Sequence, residues 1–517
     1  MRAVPTLWKA NAIAFLSSFC VMVIELIAAR IMAPYIGVSL YTWTSIIGVI
    51  LAGIALGNYL GGRLADRQPS PVVLSAIFFV GGLLTILILP ATRLVTTANW
   101  FGSLPIMWDF VLKTSCIFFL PAVVLSMVSP MVIKLTLADV GQTGGVVGTI
   151  YAFSTAGSIL GTFMTGFLFI SWFGTRTIVW LVAAVLILIG IIVWFSWKVP
   201  GRWRLSLRNF LFWTMIIWVM LAFGLLFQFR AAWQPNITKE SNYYTIRVER
   251  FGVDIKRVRL DDLFHSYINM KDPTDLIYNY TKVFAEVVKY FASEQPAPHV
   301  LHLGGGGYAF PRYLEAVYPG SVNEVVEIDP AVTMVAHAEL GLPQDTKIKT
   351  YNLDARLFLM QRQSGAKYDF VIGDVFNDKA TPYHLATQEF DQLIKANMSA
   401  DGIYLVNIID DYRRGRYLPS FIYTLKHVFK YVYLFTAGED WEQVTFNSFI
   451  IAATDRPINL ADYQLAVRAE GSFRPFGSPH DEAKLEEYLA ARKPVLLTDD
   501  YVPTDVLIAA ILRKVTP

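Results

Sequence analysis

Residues 299–330, HVLHLGGGGYAFPRYLEAVYPGSVNEVVEIDP, decide how the second half of this 517-residue chain is read. The apolar run at 300–303 predicts a buried strand. Four glycines follow, Gly304, Gly305, Gly306 and Gly307, then a helix-compatible segment, then a second apolar run at 325–328 with Glu327 near its end. The order is strand, glycine-rich turn, helix, strand, acid. Glycines let the backbone turn sharply and come close to a ligand, and a carboxylate at the tip of the second strand can accept both hydroxyls of a ribose. The glycines alone fit a tight turn in any α/β protein. The ordered set points to a nucleoside.

Outward from this stretch the chain is two chemically different halves. Up to about residue 230 long apolar stretches carry few charges, and from about residue 234 the composition is that of a soluble protein. The length exceeds one ordinary domain. We read a membrane domain over 1–232, a small β-strand subdomain with a connecting helix over 233–295, and a Rossmann-like catalytic domain over 296–517. The net charge of +3 gives no reason to expect a nucleic-acid partner. Cys20 and Cys116 both sit in apolar stretches, which suggests neither a disulfide framework nor zinc, and no metal is expected.

A membrane-spanning helix needs roughly 20 mostly apolar residues. Seven stretches qualify, at about 11–33, 41–61, 72–92, 114–136, 146–170, 177–197 and 209–229. They predict a multi-pass α-helical domain in the cell (inner) membrane, with the lipid bilayer as partner. Gly53, Gly57 and Gly61 form one small-residue ridge, and Gly157 with Gly161 another; in lipid, such ridges hold helices together by close packing. Chance explains the pair as well as packing does, and the triple less so. Glu25 and Arg30 lie in the first stretch, where a charge pairs or faces a cavity. Pro121 and Pro130 predict kinks in the fourth. Basic residues in the loops favour a cytoplasmic N-terminus. GGRLADR, at 61–67, resembles the cytoplasmic loop between the second and third helices of major-facilitator transporters. Seven crossings from that start put the C-terminal half outside the cytoplasm; one re-entrant segment puts it inside.

In the second half, 234–260 reads as short strands of a small antiparallel sheet. A helix begins near Leu276. Beyond Glu327 and Asp329 we expect a helix to about Leu340, a strand at 347–351 leading to Asp354, a helix around 358–362 and a strand over 368–374. A helix over 387–398, a turn at Ala400, Asp401 and Gly402, and a strand ending in Asp410 and Asp411 complete the pattern. Such alternation implies a mostly parallel sheet covered by helices on both faces, with ligands outside the carboxyl ends of the strands. Glu327, Asp354, Asp374, Asp410 and Asp411 all fall at such ends, which suggests an acidic cleft.

Over about residues 240–453 this half resembles the spermidine synthases, aminopropyltransferases that use decarboxylated S-adenosylmethionine. ESNYYTIRV and RLDDLFHS resemble the family's ES-x-YQ-x-I-x-V and LDG-x-x-Q segments. LHLGGGGYAF resembles its glycine loop, VVEIDP its EID segment, LDARLF its GDG-x-x-F, and YDFVIGDVFND its YD-x-I-x-D-S-x-D. The apolar half in front, with VFNDKATPYHLATQEF and LTDDYVPTDVL, is similar to the membrane-integral branch of that family. The resemblance implies that Glu327 holds the ribose hydroxyls, that Asp354 accepts from the adenine amino group with its neighbour Ala355 also in the donor site, and that Gly304, Gly305 and Gly306 pass under the donor's tail. His265 and Tyr244 would join this donor site. Asp374 would be the general base, and Tyr280, Asn377, Asp378, Asp410 and Asp411 would face the amine acceptor. It also implies a homo-oligomer, a dimer. The chain departs from the family where Asn377 replaces an acid, where His265 and Tyr244 replace glutamines, and where Tyr280 is followed by Thr281.

Three functions are compatible with these residues. The first is a membrane-bound aminopropyltransferase acting on a di- or polyamine. The second is a methyltransferase using S-adenosylmethionine itself, with Lys379 as a contact for its carboxylate. The third is a transporter or polyamine sensor whose soluble half only binds a nucleoside.

Overall fold

The computed structural model describes residues 7–36, 39–98, 100–101, 104–137, 143–196, 238–261, 263–292, 297–362, 365–376, 381–437, 441, 447–467 and 477–509. The chain forms two compact units, Met1–Pro235 and Asn236–Pro517.

The first unit is helical. Six helices among the described residues are long and apolar enough to cross a membrane: Leu7–Ala33, Leu40–Arg67, Pro71–Thr96, Met107–Thr136, Thr143–Phe169 and Thr175–Phe195. The seventh expected stretch, 209–229, lies outside the described residues. Both glycine ridges are packing seams. A Cβ on Gly53 would sit 2.7 Å from Ala122 Cβ, and one on Gly61 2.7 Å from Met127 Cα. A Cβ on Gly161 would sit 2.7 Å from the Phe19 carbonyl oxygen, so the second pair is also a seam. The fourth helix is broken where its prolines predict. Helix Ile106–Thr114 passes into a π-helical turn, Ser115–Phe119, directly before Pro121, then continues as Leu120–Ser126 and Val128–Thr136. Proline offers no N–H to the preceding turn and its ring pushes that turn open. A second π turn, Thr165–Phe169, interrupts the fifth helix without a proline.

The second unit carries two sheets. The small one has strands β1 (Lys239–Glu240), β2 (Thr245–Arg250), β3 (Ile255–Leu260) and β4 (Leu263–Asn269), antiparallel in that order. Strand β4 carries little signal in the sequence. Its residues LFHSYIN alternate weakly, with Ser266 and Ile268 buried.

The large sheet has β5 (His299–Leu303), β6 (Val322–Val326), β7 (Lys349–Tyr351), β8 (Tyr368–Gly373), β9 (Met398–Asp410), β10 (Tyr431–Ala437), β11 (Asn447–Thr454) and β12 (Gly477–Pro479). The order is β12-β10-β11-β9-β8-β5-β6-β7. Strands β5 to β9 pair in parallel, and β10, β11 and β12 add antiparallel. The expected turn at 400–402 lies within β9: Tyr368 pairs with Met398 but Phe370 with Ile403, so the extra residues form a bulge.

Helix Asn279–Ala292 buries Val283, Phe284, Val287 and Val288 against the large sheet. Its apolar residues recur at 3.6 spacing, which fixes the face it presents. Ile246, Val258 and Ile268 of the small sheet share a core with Tyr308, Val332 and Val335, so the small sheet is packed onto the glycine-loop end of the large one.

Candidate active site

Strand β5 leads to β6 and β7 on one side of the sheet, and β8 leads to β9 on the other. Such a reversal opens a crevice at the carboxyl ends of the two central strands. The loop after β5 carries Gly304 at φ +89° and Gly306 at φ +49°. A Cβ on Gly304 would run into the carbonyl oxygen of Asp374, so the glycine loop lies against the chain leaving β8. Glycine is required there both for its backbone angle and for this approach. The N–H of Gly307 donates to Ser266 Oγ at 2.9 Å, which braces the loop on β4.

Glu327, after β6, is 6% exposed. Its Oε2 accepts from the N–H groups of Gly305 (2.8 Å) and Gly306 (3.3 Å), and its Oε1 from that of Asp329 (2.9 Å). Burial raises its pKa against the lowering effect of these donors. A carboxylate has about four acceptor sites, and three are engaged here. Glu327 therefore orders the glycine loop, with one site left for a hydroxyl.

Asp354 ends the segment after β7 and caps helix Ala355–Gln361. Its Oδ1 accepts from the N–H groups of Arg356 (2.9 Å) and Leu357 (3.0 Å), and its Oδ2 is 2.8 Å from His384 Nε2. Burial works to raise its pKa, but the His384 bond and the backbone donors outweigh it and hold the carboxyl below its usual value. Ala355 is buried as the first residue of that helix.

Asp374 follows β8. Its Oδ2 accepts from the Tyr280 hydroxyl at 2.8 Å and its Oδ1 from Asn407 Nδ2 at 3.0 Å. Burial raises its pKa above the usual carboxylate value, partly offset by these two donors. Asp374 opens on a cavity of about 570 Å³ walled by Phe251, Phe264, Tyr267, Tyr278 and Phe376. Asp374 is the only carboxylate among the described residues that line it. Asn407 Oδ1 and His265 Nε2 are buried there without a hydrogen-bond partner. An unpaired buried polar atom costs about 1–3 kcal/mol, which a ligand's N–H or O–H would offset.

The structure thus sorts the expected residues. Tyr280 and Asp374 meet through the hydrogen bond described above. His265, expected on the nucleoside side, lines the Asp374 cavity instead, and burial pushes its pKa down to about 4, so its ring is neutral. Tyr244 donates to the Phe376 carbonyl at 3.1 Å and fixes the chain just beyond Asp374. Asp410 and Asp411 do not line the cavity. Asp410 accepts from the N–H groups of Asp411 and Leu418, and Asp411 from those of Arg413 and Arg414. Burial raises the Asp410 pKa to about 7 against those donors. A buried acid at a strand end must find partners, and the adjoining loop and helix supply them. Asn377, Asp378 and Lys379 lie outside the described residues. Asn407 went unnoticed in the sequence, although an amide inside the apolar run YLVNII needs a partner and so signals one.

No protein-family profile matches the chain. Over 217 residues the chain is 28% identical to a polyamine aminopropyltransferase of Vibrio vulnificus, covering 41% of this chain and 71% of that protein. The C-terminal part is related to polyamine aminopropyltransferases. Such relatives are transferases, and the enzyme class of this unit follows theirs. A shorter match, 26% over 120 residues, joins 21% of the chain to 17% of a human eEF1A lysine and N-terminal methyltransferase. Among solved structures, a probable spermidine synthase from Corynebacterium glutamicum aligns with 49% of this chain and 93% of its own, at 22% identity and a TM-score of 0.43.

Proposed function

We propose that the protein is a membrane-bound aminopropyltransferase that moves the aminopropyl group of decarboxylated S-adenosylmethionine to a primary amine of a di- or polyamine. The observation that carries this reading is the Asp374 carboxylate. Tyr280 and Asn407 fix it on the wall of a cavity, and Gly304 packs against its backbone.

The residues fit such a donor. The glycine loop leaves no room for side chains, Glu327 keeps one acceptor site for a ribose hydroxyl, and Asp354 stands where a base amino group can be read. The donor supplies a carbon activated by its bond to a positive sulfur. An amine reaches the cavity as an ammonium ion, which Asp374 attracts and Asn407 Oδ1 can share. Asp374 takes one proton and leaves a lone pair on nitrogen. The new C–N bond forms as the C–S bond breaks, and the sulfur departs as a neutral thioether. The aromatic wall suits the methylene stem of an amine, and ring faces tolerate a cation. Transfer then depends on placement more than on any covalent step.

The apolar first unit supports residence in a membrane, by the length and composition of its six helices. A second reading, methyl transfer from intact S-adenosylmethionine, is favoured by the human methyltransferase relative. Mass spectrometry separates the two. The purified full-length chain is incubated with each donor and a panel of diamines. A product heavier by an aminopropyl group supports the first reading, and one heavier by a methyl group the second. A donor that binds and yields no product in any pairing refutes both and leaves a binding role.

A further inference from the structure

Residues 381–390 and 497–507 meet in the fold beside Asp354. Asp499 binds the Arg356 guanidinium through Nη1 at 2.7 Å and through Nη2. It also accepts from Thr387 Oγ1 at 2.8 Å, and its own N–H donates to Glu389 Oε2 at 3.0 Å. Arg356 Nη1 reaches on to the backbone carbonyl of His384 at 3.1 Å. The ring of His384 then points at Asp354, with Nε2 at 2.8 Å from Oδ2. The Tyr383 ring lies edge-on to it, centroids 5.4 Å apart.

We propose that His384 is a positioning residue for the nucleoside base, held in place by the Arg356–Asp499–Thr387 network. The proposal rests on the reading that an adenosyl donor binds beside Glu327 and Asp354. Oδ1 of Asp354 is spent on two helix N–H groups, so only Oδ2 is left to accept from a base. An unrestrained carboxylate would still rotate about its last bond. His384 removes that freedom and keeps one lone pair of Oδ2 directed outward. A base carrying an amino group donates to that lone pair; a base carrying a carbonyl oxygen there meets an acceptor and is rejected. Such a mismatch leaves a buried polar atom unpaired, which is the strongest form of discrimination a binding site has. Asp499 acts one step further out, by fixing the guanidinium that holds the His384 backbone.

The test is calorimetric binding of 5′-methylthioadenosine and 5′-methylthioinosine to the full-length protein, with thermal unfolding as a control for folding. The wild type prefers the adenine compound. His384→Ala lowers that preference about tenfold, the loss of one charge-assisted hydrogen bond. Turnover at saturating donor changes less than twofold. His384→Gln, which keeps an N–H within reach, recovers most of the preference, and Asp499→Asn lowers it by a smaller factor. An unchanged preference in His384→Ala, with Asp354→Asn losing it, overturns the role of His384 and leaves the donor site standing. An unchanged preference in both variants overturns the assignment of the base to Asp354 as well.

Discussion

The two sides of the candidate site are built on opposite principles. On the proposed nucleoside side the polar groups are closed on one another: Glu327 is occupied by Gly305, Gly306 and Asp329, and Asp354 by its helix and His384. On the proposed amine side Asp374 has two neutral partners, while Asn407 Oδ1 and His265 Nε2 are without any. The first side is a rigid frame that a ligand joins. The second carries unmet hydrogen-bonding capacity and a carboxyl whose proton affinity burial has raised. Rigid geometry suits recognition, and a carboxyl of raised proton affinity suits taking a proton from an ammonium. In the proposed reaction the first side binds and the second carries the chemistry, and substitutions can strike the two separately.

The largest effect is expected from Asp374→Asn. Turnover falls by about 10²–10⁴-fold, the usual contribution of a positioned general base, with little change in 5′-methylthioadenosine affinity by calorimetry. The same substitution raises the melting temperature at pH values above the folded pKa of Asp374. Burial raises the Asp374 pKa, so its protonated form favours folding below the unfolded pKa, and that contribution is lost as pH rises through the folded value. Above that folded value the ionised carboxyl therefore costs stability, which asparagine removes. Loss of donor binding together with turnover would merge the two sides into one.

Glu327→Ala should act the other way round. Donor affinity falls about 10–100-fold, since three charge-assisted bonds that order the glycine loop are lost. Turnover at saturating donor falls much less. A turnover defect as large as that of Asp374→Asn would mean that Glu327 takes part in the chemistry.

The smallest effect belongs to Tyr280→Phe. The Tyr280 hydroxyl lowers the proton affinity of Asp374, so its removal raises that affinity further. The acid limb of kcat/KM moves to higher pH, and turnover on its plateau falls about twofold to tenfold, the net worth of one hydrogen bond. An acid limb that stays in place would show that a group other than Asp374 controls it.

The same division explains what the sequence could tell. The glycine loop is legible because a backbone at positive φ, pressed against a neighbouring chain, admits few residues, and the requirement is written at fixed spacing. Strand β6, strand β8 and the acid after each follow from apolar runs ended by a turn. Strand β4 escaped because its alternation is weak. The amine side depends on contacts between residues far apart in sequence. Tyr280 and Asn407 meet Asp374 across separations of 94 and 33 residues, and no local pattern encodes either contact. Asp410 and Asp411 show the reverse case. Their place at a strand end is plain in the sequence, yet backbone donors of the next loop and helix claim their carboxylates. In the first unit, Gly157 and Gly161 look like chance glycines until the backbone of the first helix is seen against them.

The measurement that bears most directly on the proposed chemistry is the mass of the product. Purified full-length protein, held in lipid nanodiscs, is incubated with decarboxylated S-adenosylmethionine and a diamine, and the amine is analysed by mass spectrometry. An amine heavier by one aminopropyl group, formed together with 5′-methylthioadenosine and absent with Asp374→Asn, is the expected result. An unmodified amine in the presence of bound donor, or equal product from Asp374→Asn, would contradict it.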